Sequence, residues 1–80
     1  MPSLFLKDEL VEKAPAVVGF EVIRYIRASG KKRISIFDVV DHFKREKWFS
    51  FNAFMYGVTF LYAVGLLEFE EPYLVAIDAD

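Results

Sequence analysis

The side chains that could carry out chemistry are few, and the first group surrounds the single histidine of the chain. Asp38 and Asp41 precede His42 on the polar side of a predicted helix. A histidine beside two carboxylates could hold a metal ion or move a proton. Three ligands on one helix turn do not, however, give the geometry of a closed metal site. We therefore interpret His42 as a solvated surface residue and expect no metal site.

The second group consists of three glutamates near the C-terminus, Glu68, Glu70 and Glu71. Paired carboxylates can act as general acid and base, but a chain of 80 residues does not imply a pocket around them. The sequence has no glycine-rich phosphate loop, and Ser35 and Ser50 are better explained as helix caps. The absence of cysteine excludes thiolate metal sites and disulfides. We predict a protein that is not an enzyme and that needs no cofactor.

Residues 48–67 form a stretch of twenty residues without a charged side chain, and any fold of this chain must place this apolar stretch either in the core or under another molecule. It contains seven of the fourteen aromatic residues, and 55% of the whole chain is apolar. A domain of this size buries only roughly 60–65% of its unfolded surface. Because large apolar patches on soluble proteins usually mark interaction sites, the surplus indicates a surface that another molecule covers.

Start and stop signals divide the chain into three helices. The first begins at Pro15 and ends before Gly30, a residue suited to a left-handed C-terminal cap. Ser35 and Ser50 are placed to cap the second and third helices, and Gly65 ends the third. Apolar residues spaced three and four apart predict the core stripes: Val18, Val22, Ile23, Ile26, Ile36, Val39, Val40, Phe43, Phe51, Phe54, Met55, Val58, Leu61 and Tyr62.

The last part of the chain predicts a hairpin. Two short apolar runs, LLEFE and YLVAI, are separated by Glu71 and Pro72, and Ile34 could form a short strand beside them. Three helices followed by a hairpin predict an α+β, mostly helical fold, a winged-helix-like three-helix domain with a C-terminal β-hairpin. We predict that residues 1–80 form a single domain. Its parts are an N-terminal arm at 1–13, three helices within 15–65 and a hairpin wing at 66–78.

The run SFNAFMYGVTFLYAVGLLEFE resembles the end of the middle components of bacterial ABC-three-component systems. The similarity covers roughly residues 10–77, and the matching features are Pro15, Val18, Gly19, the Ser35 cap, Val58, Phe60, Leu61, Tyr62 and the exit Gly65-Leu66-Leu67-Glu68. The resemblance implies a non-catalytic accessory subunit of an ATPase complex that acts in bacterial conflict or DNA handling. It brings with it no residue of known chemical role.

The aromatic surplus and the resemblance together predict a protein–protein adaptor. We expect the third helix to bury one face in the core and to offer the other to a partner, either a large ATPase subunit or a second copy of the chain. Aromatic residues dominate interface energies, and the predicted contact residues are Trp48, Phe49, Tyr56 and Phe60. An alternative stays open, in which the N-terminal arm with Leu4, Phe5 and Leu6 covers this surface.

A DNA-binding winged-helix regulator is the alternative function. Residues 21–47 carry a net charge of +4, and the residues that could contact nucleic acid are Lys31, Lys32, Arg33, Lys44, Arg45 and Lys47. The predicted recognition helix, however, carries no Lys or Arg, and residues 48–80 have a net charge of −5. Phosphate neutralisation supplies most non-specific affinity, so we interpret the basic residues as solvated charges and nucleic acid as a secondary partner.

The uncharged stretch 48–67 is also long enough for a membrane-spanning helix to be considered. Twenty helical residues span about 30 Å, the thickness of a bilayer core. Polar residues interrupt the stretch, and the Gly65 cap ends the helix after about 15 residues, so we do not expect insertion. The first residues lack the pattern of a secretory signal, and the lack of cysteine fits a reducing compartment. We expect a cytoplasmic protein.

Overall fold

The computed structural model describes residues 14–77, and this part of the chain contains three helices and three strands. In chain order they are α1 (Pro15–Ala28), β1 (Arg33–Ser35), α2 (Ile36–Phe43), α3 (Phe51–Ala63), β2 (Leu67–Glu70) and β3 (Tyr73–Ala76). The predicted N-terminal arm and the last residue of the predicted wing lie outside the described residues. No helix within 14–77 is long and apolar enough to cross a membrane.

The three strands form one antiparallel sheet in the order β1–β3–β2. Ile34 pairs with Leu74, and Phe69 pairs with Leu74 from the other side, so the short strand predicted at Ile34 joins the hairpin. The strand between α1 and α2 and the hairpin after α3 give the chain a winged-helix topology. The predicted α+β, mostly helical class is confirmed.

The helix boundaries follow local chemistry. The Ser35 hydroxyl accepts a hydrogen bond from the Phe37 amide at 3.1 Å, and the Ser50 hydroxyl accepts one from the Ala53 amide at 3.0 Å. Gly30 and Gly65 follow α1 and α3 with φ of 78° and 82°, a conformation that glycine adopts without a steric penalty. Each predicted boundary is confirmed because side chains next to it in the sequence determine it.

The core lies between the three helices and the inner face of the sheet. Its buried apolar residues are Val18, Val22, Ile23, Ile26, Ile34, Val39, Phe43, Trp48, Phe54, Val58, Leu61, Leu67 and Leu74. The predicted stripe on α3 is wrong at its edges, because Phe51 and Tyr62 are both more than half exposed. Gly57 is buried instead. At 100° per residue, the buried side of α3 is rotated by about 50° from the predicted stripe.

A close crossing of α1 and α3 explains this rotation. A Cβ atom on Gly57 would lie 2.5 Å from Cγ1 of Val18 and 2.9 Å from the backbone nitrogen of Gly19. A Cβ atom on Gly19 would lie 2.9 Å from the carbonyl oxygen of Gly57 and 3.1 Å from Cγ of Leu61. The two glycines therefore let the helix backbones meet, and α3 turns Gly57 rather than an aromatic side chain towards α1.

We expect Gly57→Ala to lower the free energy of unfolding by about 2 kcal/mol. Alanine gains up to about 1 kcal/mol in helix propensity, but the added methyl group must displace the backbone of α1, and overpacking of this kind costs more than that gain. Thr59→Ala, on the exposed side of the same helix, is the control and should change stability by less than about 0.5 kcal/mol. Urea unfolding followed by circular dichroism measures both. A Gly57→Ala variant as stable as the parent would contradict the close crossing.

Candidate protein-binding surface

Tyr56 and Phe60 lie on the side of α3 that faces away from the core, and we refer to this pair as the α3 aromatic face. Tyr56 is 63% exposed and Phe60 is 36% exposed. One turn of helix separates them, so their side chains are neighbours. The exposed positions beside them carry small or polar side chains without charge, namely Asn52, Thr59 and Ala63. The face is therefore apolar, uncharged and sterically open.

Trp48 does not belong to this surface. Its side chain is only 5% exposed and packs against Phe43 and Phe49. The centroid of its ring lies 5.6 Å from that of Phe43 and 5.7 Å from that of Phe49. The indole nitrogen is buried and has no hydrogen-bond partner among residues 14–77. The predicted partner-binding set is corrected accordingly, because the turn after α2 folds Trp48 into the end of the core.

Phe49 occupies an intermediate position. It is half-buried between Trp48 and Phe54, whose ring centroid lies 6.0 Å from its own. Its amide donates to the carbonyl of Glu46 at 3.0 Å, which closes the turn between α2 and α3. Phe49 therefore borders the core more than it extends the α3 aromatic face.

A second group of exposed aromatic residues joins α3 to the wing. The rings of Tyr62 and Phe69 lie 5.6 Å apart, and Phe69 is 39% exposed. Sequence reasoning missed this pair because it placed Tyr62 in the core. A glycine at the centre of α3, Gly57, was the signal that could have revealed the rotation of the helix.

His42 is positioned by α1 as well as by α2. Its ring stacks on Tyr25 at a centroid distance of 3.9 Å and meets Phe43 edge-on at 4.7 Å. It borders an open cleft of about 470 Å³, lined by Glu21, Arg24, Tyr25, Ala28, His42, Phe43 and Glu46. Asp38 and Asp41 are not among these residues. Within residues 14–77, no group of three possible ligands could hold a metal ion.

The six predicted nucleic-acid-contacting residues lie in two separate segments of the chain. Lys31, Lys32 and Arg33 lie at the entry to β1, and Lys44, Arg45 and Lys47 follow α2. Arg33 and Lys44 contact acidic side chains within the described part of the chain. The Arg33 guanidinium lies 3.1 Å from a carboxylate oxygen of Glu70 and 5.0 Å above the ring of Tyr73.

Lys44 forms an ion pair within its own turn of chain, with its Nζ 2.7 Å from Oδ1 of Asp41. The hydrogen bond and the charge of Lys44 lower the pKa of the Asp41 carboxyl group, with a smaller contribution from Arg45. Both partners are exposed, so the pair contributes little to stability. The basic residues after α2 are thus partly neutralised by the helix that precedes them.

Comparison with protein-family models, with curated proteins and with solved structures finds no match to this chain. The winged-helix topology and the α3 aromatic face are therefore the observations from which a function must be argued. The similarity to the middle components of ABC-three-component systems stays a prediction.

The burial of Trp48 and the exposure of Tyr56 predict opposite effects on stability. Trp48→Ala should lower the free energy of unfolding by about 3–5 kcal/mol, which is most of the stability expected of a domain of this size. Tyr56→Ala should change it by less than about 0.5 kcal/mol, as is usual for exposed positions. Thermal unfolding followed by circular dichroism distinguishes them. A folded, unshifted Trp48→Ala variant would show that Trp48 is not part of the core.

Proposed function

We propose that this chain is a non-catalytic adaptor that binds a protein partner through the α3 aromatic face. The observation that supports this proposal is the exposure of Tyr56 and Phe60 on a helix side without a single charged residue. Tyrosine and other aromatic residues are enriched at the centres of protein interfaces, where charged residues are depleted. A surface with this composition is better suited to a protein than to a polyanion.

The energy available from this face sets a minimum size for the contact. Covering the exposed parts of Tyr56 and Phe60 would remove roughly 200 Å² from water, worth about 5 kcal/mol. Association itself costs at least about 4 kcal/mol in lost freedom. The partner must therefore also contact the neighbouring positions of α3, and Thr59 and Ala63 are small enough to allow a close approach.

The kind of partner follows from the resemblance of residues 10–77 to the middle components of ABC-three-component systems. If the chain has this role, the partner is a large ATPase subunit and the chain acts as its accessory subunit in a bacterial, cytoplasmic assembly. A second copy of the chain is the other candidate, since an apolar helix face can pair with itself across a two-fold axis.

The DNA-binding alternative has less support from the described residues. In a winged-helix protein that reads DNA, the third helix enters the major groove and uses side chains that contact bases and phosphates. Here α3 carries no Lys or Arg, and β2 carries Glu68 and Glu70 on the adjacent wing. Arg33 is held by Glu70 rather than left free to contact phosphate.

Replacing both residues of the α3 aromatic face tests the adaptor proposal. Tyr56→Gln combined with Phe60→Gln should abolish partner binding while the domain stays folded, because glutamine keeps helix propensity and removes apolar area. Phe37→Gln is the matched control, since Phe37 is an aromatic residue 73% exposed on α2. The measurement is capture of tagged chains from host lysate after nuclease treatment, together with sedimentation analysis of the purified chains.

The possible outcomes of this experiment distinguish the adaptor proposal from its alternatives. Loss of the captured ATPase, or of a dimer, in the double variant alone supports the proposal. Equal loss with Phe37→Gln would contradict a role specific to α3, and unfolding of the double variant would show that both residues belong to the core. Capture that disappears on nuclease treatment of the parent chain would favour the DNA-binding function.

A direct titration with DNA completes the comparison. With a labelled duplex at about 150 mM salt, we expect a dissociation constant no tighter than about 100 µM, the weak end of non-specific binding. Tighter binding that is lost when Lys31, Lys32 and Arg33 are replaced by glutamine would contradict the adaptor proposal and support a DNA-binding regulator. Fluorescence anisotropy at two salt concentrations provides the measurement.

A further inference from the structure

Strand β2 is one of the two outer strands of the sheet, and within residues 14–77 its outer edge is open. Its neighbour on one side is β3, and the order β1–β3–β2 leaves the other side without a strand among the described residues. The Ile77 amide donates to the carbonyl of Leu66 at 3.0 Å. In an antiparallel pair, every second residue bonds to the neighbouring strand. Since Leu66 bonds to Ile77, directly after β3, the alternating residues Leu67 and Phe69 do not bond to β3. They direct their backbone N–H and C=O groups away from β3, towards the open edge.

Open strand edges are templates for another extended segment, which binds by adding a strand to the sheet. In residues 14–77, no backbone hydrogen bond reaches the outward-facing groups of Leu67 and Phe69. Up to four main-chain hydrogen bonds are thus available to a segment that lies alongside β2.

The two faces of β2 differ sharply in chemistry. Glu68 and Glu70 alternate along β2 with Leu67, which is buried, so both glutamates lie on the outer face of the sheet, opposite Val75 and Tyr73. Leu67 and Phe69 lie on the inner face, where Leu67 is buried in the core. The ring of Phe69 contacts Tyr62 of α3 and remains partly exposed next to the open edge.

This alternation specifies what can pair with the edge. Residues directly opposite each other on adjacent strands place their side chains on the same face, where opposite charges attract and like charges repel. A segment along β2 is favoured if apolar residues lie opposite Leu67 and Phe69 and basic residues lie opposite the glutamates. Glu68 has no ion pair with any described residue, whereas Glu70 already contacts Arg33.

A second copy of the chain does not meet this requirement through its own β2. Pairing β2 with β2 brings glutamates of the two copies together on one face, which is unfavourable. The acidic residues on the strand thus oppose self-pairing, a common protection of natural sheet edges. They do not oppose a basic strand.

We infer that the open edge of β2 binds an extended segment of a partner protein in which apolar and basic residues alternate. The segment adds a fourth strand to the sheet, its apolar residues lie beside Phe69 and Tyr62, and a basic residue pairs with Glu68. This contact is separate from the α3 aromatic face and does not depend on the function proposed for that face.

The test uses the full chain labelled with nitrogen-15 and a capped hexapeptide of alternating valine and lysine. We expect saturable shifts of the amide resonances of Leu67 and Phe69 at low salt. A hexapeptide of alternating valine and glutamate, and a valine–lysine peptide with methylated backbone amides on its bonding edge, should both bind at least tenfold more weakly. The first control removes the charge match and the second removes the main-chain hydrogen bonds.

Matched charge reversals test the role of Glu68. We expect Glu68→Lys to weaken binding of the valine–lysine peptide about tenfold, while Glu71→Lys, the same charge change in the turn after β2, weakens it less than threefold. Glu68→Gln provides a milder variant in case the reversal perturbs folding, and should weaken binding about threefold.

Three outcomes would overturn the inference. The first is that millimolar valine–lysine peptide causes no saturable shifts at Leu67 and Phe69. The others are that the valine–glutamate peptide binds equally well, or that Glu68→Lys and Glu71→Lys have equal effects. Shifts confined to Tyr56 and Phe60 would likewise assign the peptide to α3 rather than to the sheet. Loss of peptide binding in the Tyr56→Gln and Phe60→Gln variant would show the same, whereas unchanged peptide binding in that variant supports a separate site.

Discussion

The direct contact between the backbones of α1 and α3 at Gly19 and Gly57 determines how the rest of the domain is arranged. Because neither residue has a Cβ atom, the two helices pack closer than side chains would allow. The crossing sets the rotation of α3, and the rotation selects which of its many apolar residues are buried. Phe54, Val58 and Leu61 enter the core, and the remaining aromatic side chains of the helix are left outside.

The same rotation distributes the exposed aromatic residues between two regions of the molecule. One side of α3 carries Tyr56 and Phe60, and the other side brings Tyr62 against Phe69 of the wing. The sheet is anchored beneath by Leu67 and Leu74, which are buried. A helix that is apolar on more than one face thus serves as core element, exposed surface and support for the wing at the same time.

Local features of this fold could be predicted from the sequence, whereas hydrophobic periodicity alone did not identify the rotation of α3 or the burial of Trp48. Caps at Ser35 and Ser50 and turns at Gly30 and Gly65 are determined by neighbouring residues. The stripe of α1 was correct because polar residues define its outer side. On α3, apolar residues surround the helix, so periodicity does not identify the buried side. Trp48 lies in a turn, where no periodicity applies, and its burial depends on contacts with Phe43 and Phe49.

The enclosed indole of Trp48 has a consequence for how this molecule can be observed. It is the only tryptophan of the chain, and its ring contacts are with Phe43 and Phe49 rather than with either exposed aromatic region. Its fluorescence therefore reports on the environment at one end of the core. Emission changes when that end opens to water and stays constant when a molecule covers a distant surface, so a single optical signal separates loss of structure from association.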